Sequence, residues 1–543
     1  MVLQTDRTWE EVYEDFEWQE AFDAFDWDAP EELNMAHEAC DRWAGTGEVG
    51  LRWVDTDNEA HDYTFADLRE ASNRVASGLE SLGVGRGDRV AVLMPKVPET
   101  LVTVLGIWKV GAVHVPLFTA FEEAALEYRI GDCEPRVVVA HDDYRDTLRG
   151  FEDDVDGLEH VVVVGADDAG GDTDYDDLTD GASPDYDVAR TGVDDPSTIQ
   201  YTSGTTGPPK GVVVGHDGFV TLYPFTKWAL GIERGDTIWG AADPAWAYGL
   251  FTTGFGPMSV GATRVLHAGE FDANHWLDVL ETHDIDVLGA APSAYRGLMA
   301  AGEAALEGRQ FDVQVLSSAG EPLNPPVVDW FEEHFDQPVY DTYGLSEAAM
   351  AIDNYPTLDF DLRKGSMGLP CPGYEVELLD PETREPVEQG EVGEIALKPR
   401  ERMFIQEYWG LPEKTRAAFH RDWFLTDDLA RRDEDGYFWY EGRADDVIIS
   451  SGYRIGPFEV ESSLMEVDFV AEAAAVGVPD EERGQRVKAY VVTTREVDEA
   501  AAREELTNHV REHLARHAYP REIEFVSELP KTATGKIQRY KLE

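Results

Sequence analysis

The chain is short of positive charge, of cysteine and of long apolar runs, and each shortage excludes something. Lys and Arg number 45 against 109 Asp and Glu, for a formal net charge of −64. A surface of that sign repels phosphate backbones, so no nucleic-acid partner is expected. Cysteine occurs only at Cys40, Cys133 and Cys371. Three thiols this far apart make neither a disulfide framework nor a zinc knuckle. No uninterrupted apolar run approaches the roughly 20 residues of a membrane span. The start, Met-Val-Leu-Gln-Thr-Asp-Arg, has no apolar signal region. A cytoplasmic protein with no membrane span is the expectation.

What is present argues for an ordered, multi-domain enzyme-sized chain. Hydrophobic residues make up 43% and aromatics 11% of the 543 positions, too many for a disordered acidic protein. The length suggests roughly three to four domain-sized units. The acids are spread along the whole chain rather than gathered in a tail. Self-repulsion of that kind strains a compact state at low salt and is relieved by dense counterions. An acidic surface adapted to high salt is the reading that fits.

The densest chemistry lies in Tyr201-Thr-Ser-Gly-Thr-Thr-Gly-Pro-Pro-Lys210-Gly-Val-Val-Val214. Glycines allow a tight turn and close backbone approach to a ligand. Successive free N–H groups can cup an anion. Thr202, Ser203, Thr205 and Thr206 add hydroxyls around Gly204 and Gly207, and Lys210 adds charge. This is a phosphate grip that feeds a β-branched strand. A Walker A loop would instead open a helix directly after Gly-Lys-[Ser/Thr].

Around it the hydrophobic periodicity alternates between strand and helix. A helix is expected after Thr64 to Leu82, a buried strand over Arg89 to Met94, a helix from Pro98 and further strands to Val164. A second alternating set runs from Thr237 to Ser318. This predicts an α/β fold with two βα-layered lobes. Asp167 to Asp187 has no periodicity and reads as a solvated loop. From Gly365 short strands suggest a small β-subdomain. From Asp445 a small α+β lid is expected, giving domains 1–444 and 445–543.

Four more constellations carry chemistry. Tyr340-Asp341-Thr342-Tyr343-Gly344-Leu345-Ser346-Glu347 offers aromatics for a planar base and a carboxylate for Mg²⁺. Thr426-Asp427-Asp428 places a carboxylate where ribose hydroxyls are commonly held. Gly442-Arg443-Ala-Asp445 leads into Ser451-Gly452-Tyr453-Arg454-Ile455-Gly456. Pro530-Lys-Thr-Ala-Thr-Gly-Lys536 lies near the C-terminus. Two decoys compete: His509-Val-Arg-Glu-His513 imitates a zinc-protease helix, and Asp433-Glu-Asp-Gly436 imitates a calcium loop.

Taken in order, these stretches resemble the acyl- and aryl-adenylate-forming enzymes over nearly the full chain. Ser318-Ala-Gly320-Glu321-Pro322 and Gly452-Tyr-Arg-Ile-Gly456 look most like the medium-chain AMP-forming acyl-CoA synthetases, with acetyl-CoA synthetases as near relatives. The resemblance implies ATP-dependent activation of a carboxylic acid to an acyl-adenylate, then transfer to CoA. It implies that Thr202 to Lys210 hold the ATP phosphates. Gly320, Glu321, Pro322 and Asp341 to Ser346 would flank adenine and the acyl carboxylate. Glu347 would help hold Mg²⁺, Asp428 and Arg443 the ribose, and Lys536 the carboxylate and α-phosphate. Ser451, Gly452, Tyr453, Arg483, Tyr519 and Arg521 would meet CoA. Trp246, Gly344, Ser346 and Arg454 would line the acyl pocket, and Asp445 would be the hinge of a mobile lid. In the acetyl-specific relatives a tryptophan stands where this chain has Gly344, so acids longer than acetate are expected. Acetate, an aryl acid and delivery to a carrier protein are the alternatives, and the oligomeric state is left open. One departure stands out: the family usually has Thr-Gly-Asp where this chain has Thr426-Asp427-Asp428.

The net charge makes a direct prediction. Folding midpoint and activity should both rise from dilute buffer to molar KCl as repulsion is screened. Thermal melts across that range check it, and equal stability in dilute buffer would refute the high-salt reading.

Overall fold

A computed structural model describes the chain except residues 1–4, 28–30, 203–207, 445, 451–452, 481–482, 515–517, 532–536 and 543. Ser203, Gly204, Thr205, Thr206, Gly207, Asp445, Ser451, Gly452 and Lys536 therefore lie outside the described residues.

Two large sheets carry the body. In one, Val315–Ala319, Val287–Ala290, Thr237–Gly240, Thr263–His267 and Val49–Val54 run side by side and parallel, with Val339–Leu345 joining the first of them. In the other, Val113–Pro116, Arg89–Leu93, Val137–His141 and His160–Val164 are parallel. The hairpin Pro196–Thr202 and Lys210–Gly215 extends that sheet, and Ile405–Tyr408 adds the edge strand. These runs are rich in Val and almost wholly buried, as parallel strands covered on both faces must be.

The helix Pro98–Val110 stands where the sequence predicts one, although its apolar residues do not keep to one face. Nearly every residue is buried, because it lies among other elements on all sides. Trp108 packs against Phe219, Phe251 and Phe255, and its Nε1–H donates to Ser197 O. Lys109 is fully buried, yet its Nζ meets Asp41 Oδ1 at 2.7 Å and Asn73 Oδ1 at 2.6 Å. A buried ammonium is tolerated only with such partners. Gly111, at φ 76°, ends the helix in the left-handed conformation that glycine accepts without strain.

A third sheet holds Tyr374–Leu379, Val392–Pro399, Trp423–Arg432, Phe419–His420 and Phe438–Arg443. A fourth begins at Ile448–Ser450 and includes Tyr453–Ile455, Gly484–Thr493, Val470–Asp480 and Glu522–Phe525. The helix Pro457–Met465 of this last part lies near the third sheet, with Phe458 6.5 Å from Tyr440, and the Asn324 amide of the large body donates to its Ser462 Oγ at 2.9 Å. Among the described residues no helix is long and apolar enough to cross a membrane.

One expectation needs correction, and the reading of Asp433–Gly436 as a turn stands. Asp167 to Asp187 is not wholly irregular: it contains strand Thr173–Asp174 and helix Tyr175–Asp180. Asp174 caps that helix, accepting from the N–H groups of Asp176 and Asp177, and Tyr175 anchors it in the core. One buried tyrosine fixed a segment whose other residues are mostly polar. The Asp433–Gly436 turn is a hairpin connection rather than a calcium loop. Asp433 Oδ1 accepts from the N–H groups of Asp435 and Tyr437, and Oδ2 accepts from Trp439 and Arg363.

Candidate active site

The parallel strands Val315–Ala319 and Val339–Leu345 end side by side, with Ser318 opposite Asp341 and Ala319 opposite Thr342. Ligands of open α/β sheets bind beyond such carboxyl ends. The Thr342 hydroxyl donates to Ser318 O at 2.9 Å and locks the two ends together. Gly320 follows at φ 97°, a backbone conformation that suits glycine. Next to it, the Glu321 carboxylate is held by Arg296 at 2.9 Å. Pro322 then leads to Leu323, whose N–H points at Asp341 Oδ2 at 3.4 Å.

Asp341 is buried, and its Oδ1 has no hydrogen-bond partner. Burial pushes its carboxyl up to about 8. Tyr343, two residues on, donates its phenol to Asp428 Oδ2 at 2.8 Å. Asp428 stands opposite Arg443 on paired strands, with Arg443 Nη1 at 3.5 Å and the Tyr440 hydroxyl at 3.3 Å from Oδ1. Tyr343 thus joins the large sheet to the β-subdomain through one carboxylate.

The Asp427 departure has a geometric reason. Its φ is 60°, in the left-handed region where the family's glycine is at ease. Aspartate is among the few other residues that enter this region. Its N–H donates to Glu394 Oε1 at 3.1 Å, while its side chain is 74% exposed and 3.9 Å from Arg443. Asp428 therefore keeps the inward position.

The phosphate-grip residues form a second cluster. Thr202 and Lys210 are cross-strand partners where the chain leaves and re-enters the sheet. Lys210 Nζ lies 4.3 Å from the ring centroid of Tyr408. The Tyr408 phenol donates to Glu347 Oε1 at 2.8 Å. Glu347 and Ser346 sit in the turn between strands Val339–Leu345 and Ala349–Asp353. Sequence reading found Glu347 and Lys210 but not Tyr408, because Ile405–Tyr408 alternates too briefly to stand out.

Trp246 precedes the π-helical stretch Tyr248–Phe255 and packs on Tyr248 with centroids 5.3 Å apart. Tyr248 is buried with its hydroxyl 3.3 Å from Ser317 Oγ. The Gln200 side chain, on the strand entering the phosphate grip, donates to Ala245 O at 2.8 Å. Gly344 is closely surrounded. A Cβ there would lie 2.1 Å from Ala349 O and 2.7 Å from Met350 Sδ. Its missing side chain is required by the hairpin itself.

Tyr519 and Arg521 make their contacts within the C-terminal part. Arg511 and Arg521 stack on Tyr519, at 4.2 and 4.5 Å from its centroid. The Arg483 N–H donates to Asp480 Oδ1. Tyr453 and Arg454 lie in strand Tyr453–Ile455. His509 Nε2 lies 2.7 Å from Glu466 Oε2 and its ring stacks on His513.

Two variants test this geometry. Gly344→Ala should lower stability by about 1–3 kcal/mol, the usual penalty of overpacking, and a thermal melt reads it. A melt equal to that of the unmodified chain would show that Ala349 can give way. Asp341 stands protonated in the fold well above its unfolded value, so its contribution is full below about pH 4 and is lost as pH rises through about 8. Asp341→Asn should therefore gain on the unmodified chain as pH rises from 5 to 8, measured by urea midpoints. Parallel pH profiles would mean that Asp341 is ionised in the fold.

The chain matches the family described as AMP-binding enzyme over residues 36–409, and its C-terminal domain over 459–536. It is 38% identical to the acetyl-coenzyme A synthetase of Bacillus subtilis over 98% of this chain and 94% of that one. The crystal structure of Brucella canis acyl-CoA synthetase superposes with a TM-score of 0.79 at 37% identity, covering 99% of this chain and 98% of that one. The anthranilate CoA ligase AuaEII in complex with anthranoyl-AMP gives 0.87 at 30% identity, covering 95% and 97%. With the two motif clusters in place at the sheet ends, the chain belongs to the AMP-binding enzyme family as an ATP-dependent, adenylate-forming acyl-CoA synthetase.

Proposed function

We propose that the acid is a short- to medium-chain fatty acid longer than acetate. What supports this is the likeness of Ser318 to Pro322 and Gly452 to Gly456 to the medium-chain synthetases, together with the lack of a side chain at position 344. The ring that closes the pocket in acetyl-specific relatives has no counterpart at that position. Trp246, Ser346 and Arg454 are the other residues we assign to the acyl pocket, with Trp246 limiting its width. Each added methylene that becomes buried contributes about 0.8 kcal/mol. An aromatic acid is the second reading, favoured by the likeness to the anthranilate CoA ligase.

The reaction runs in two steps. The carboxylate attacks the α-phosphorus of ATP, forming the acyl-adenylate and expelling pyrophosphate. The CoA thiol then attacks the acyl carbonyl, and AMP leaves. The protein supplies position and charge rather than a nucleophile. We assign the phosphates to Lys210 and residues 202–207, the base to residues 320–322 and 341–344, and the ribose to Asp428 and Arg443. Glu347 suits a hard cation: its carboxylate is largely buried and Tyr408 occupies one oxygen, leaving the other as a ligand. Mg²⁺ bound there would offset phosphate charge. Lys536 is assigned to the α-phosphate and acid carboxylate. Ser451, Gly452, Tyr453, Arg483, Tyr519 and Arg521 are assigned to CoA. We place the lid at 445–543, turning about Asp445.

Two measurements check this. Initial rates on acids from acetate to octanoate, with benzoate, should peak beyond acetate. A clear preference for acetate over butyrate and hexanoate would overturn the substrate assignment. Lys536→Ala should abolish acid-dependent ATP–pyrophosphate exchange while still converting a supplied acyl-adenylate to acyl-CoA. Equal loss of both half-reactions would refute that division of labour.

A further inference from the structure

Several buried tyrosines in this chain spend their hydroxyl on a backbone carbonyl, while Tyr201 donates to Asp132 Oδ2. Tyr295 donates to Leu288 O and Ser317 O, Tyr355 to Pro370 O and Leu369 O, and Tyr374 to Ala348 O. Tyr408 does not. It is only 3% exposed, and its hydroxyl donates to the Glu347 carboxylate while its ring faces the Lys210 ammonium. One side chain therefore touches both charged groups assigned to the triphosphate and its cation.

Its placement is fixed from the backbone. Tyr408 pairs with Val212 and Ile405 with Val214, so the ring rides on the strand that carries Lys210. The Trp409 N–H donates to Gly211 O at 2.7 Å, and the Tyr408 N–H to Thr415 Oγ1 at 2.9 Å. From the other side, the Ile405 N–H donates to Glu347 O at 2.8 Å.

We propose that Tyr408 is a positioning residue that keeps Glu347 and Lys210 apart and presented to the nucleotide. Opposite charges this close to one tyrosine would otherwise be drawn into a direct ion pair, and an ion pair would occupy both groups. Among the described residues no salt bridge joins them. The hydroxyl holds one carboxylate oxygen and leaves the second for a cation. The ring offers the ammonium a weaker seat that an arriving phosphate can displace, since cation–π attraction falls short of a charge-assisted contact.

This rests on the assignment of Glu347 and Lys210 to ATP, so the test separates the two. Tyr408→Phe keeps the ring and removes the hydroxyl. ATP binding is measured by equilibrium dialysis across a Mg²⁺ titration, with acid-dependent ATP–pyrophosphate exchange and a thermal melt alongside. The expected result is about a tenfold rise in the Mg²⁺ needed for half-maximal ATP binding, the scale of one lost charge-assisted hydrogen bond. The melt should change little, and conversion of supplied acyl-adenylate to acyl-CoA should not change. In a Glu347→Gln background the same Tyr408→Phe exchange should add almost nothing. Loss in Glu347→Gln with none in Tyr408→Phe overturns the positioning role alone. An equal Tyr408→Phe effect in both backgrounds overturns it too. No loss in either single variant overturns the assignment of Glu347 and the proposal with it.

Discussion

The site depends on a short antiparallel pairing, Ile405–Tyr408 against Lys210–Gly215. That edge strand ties the re-entry of the phosphate grip to the turn that carries Glu347, which begins a different sheet's hairpin. Without it, the two main motifs would belong to separate sheets with no shared ruler. Backbone hydrogen bonds set the register, and register decides which side chains face the site. Tyr343 does the corresponding work on the far side. Its phenol reaches from the large sheet to Asp428 of the β-subdomain. A nucleotide between these contacts would meet groups from three sheets, each held by neighbours that do not belong to the ligand.

Much of this was legible in the sequence, and the reasons differ by element. The helix Phe65–Ser81 is capped by Thr64 and Asp67 in a reciprocal pair, and its apolar spacing is regular. Glycine, hydroxyl and lysine density drew attention to residues 202–210, because packing alone gives no reason for that mixture. The short edge strands and the π-helical Tyr248–Phe255 were not legible. Their form is set by partners far along the chain, such as the buried Arg264 whose Nη2 donates to Gly249 O at 2.8 Å. Gly344 was read as an opening, whereas its surroundings show a backbone contact that needs the glycine. Asp427 stands where the family usually has glycine, and its φ of 60° lies in the region that glycine enters most readily.

Charge is arranged as unevenly as its total suggests. The acids crowd the exterior, while within the site each carboxylate is individually managed. Asp428 accepts two phenols and faces a guanidinium, Glu321 is paired with Arg296, and burial pushes the Asp341 carboxyl up to about 8. Triphosphate carries charge of the same sign as the protein. Pairing and burial of these carboxylates lower the negative charge that such a ligand meets.

The central claim is that the substrate carboxylate attacks the α-phosphorus. Its most direct test follows oxygen rather than rate. The complete reaction is run with acid carrying ¹⁸O in both carboxylate positions, and the nucleotide product is resolved by mass spectrometry and ³¹P NMR. The account predicts AMP as the nucleotide product, with one labelled oxygen on its phosphoryl group and unlabelled pyrophosphate beside it. ADP with label in orthophosphate would place the attack on the γ-phosphorus and contradict the account.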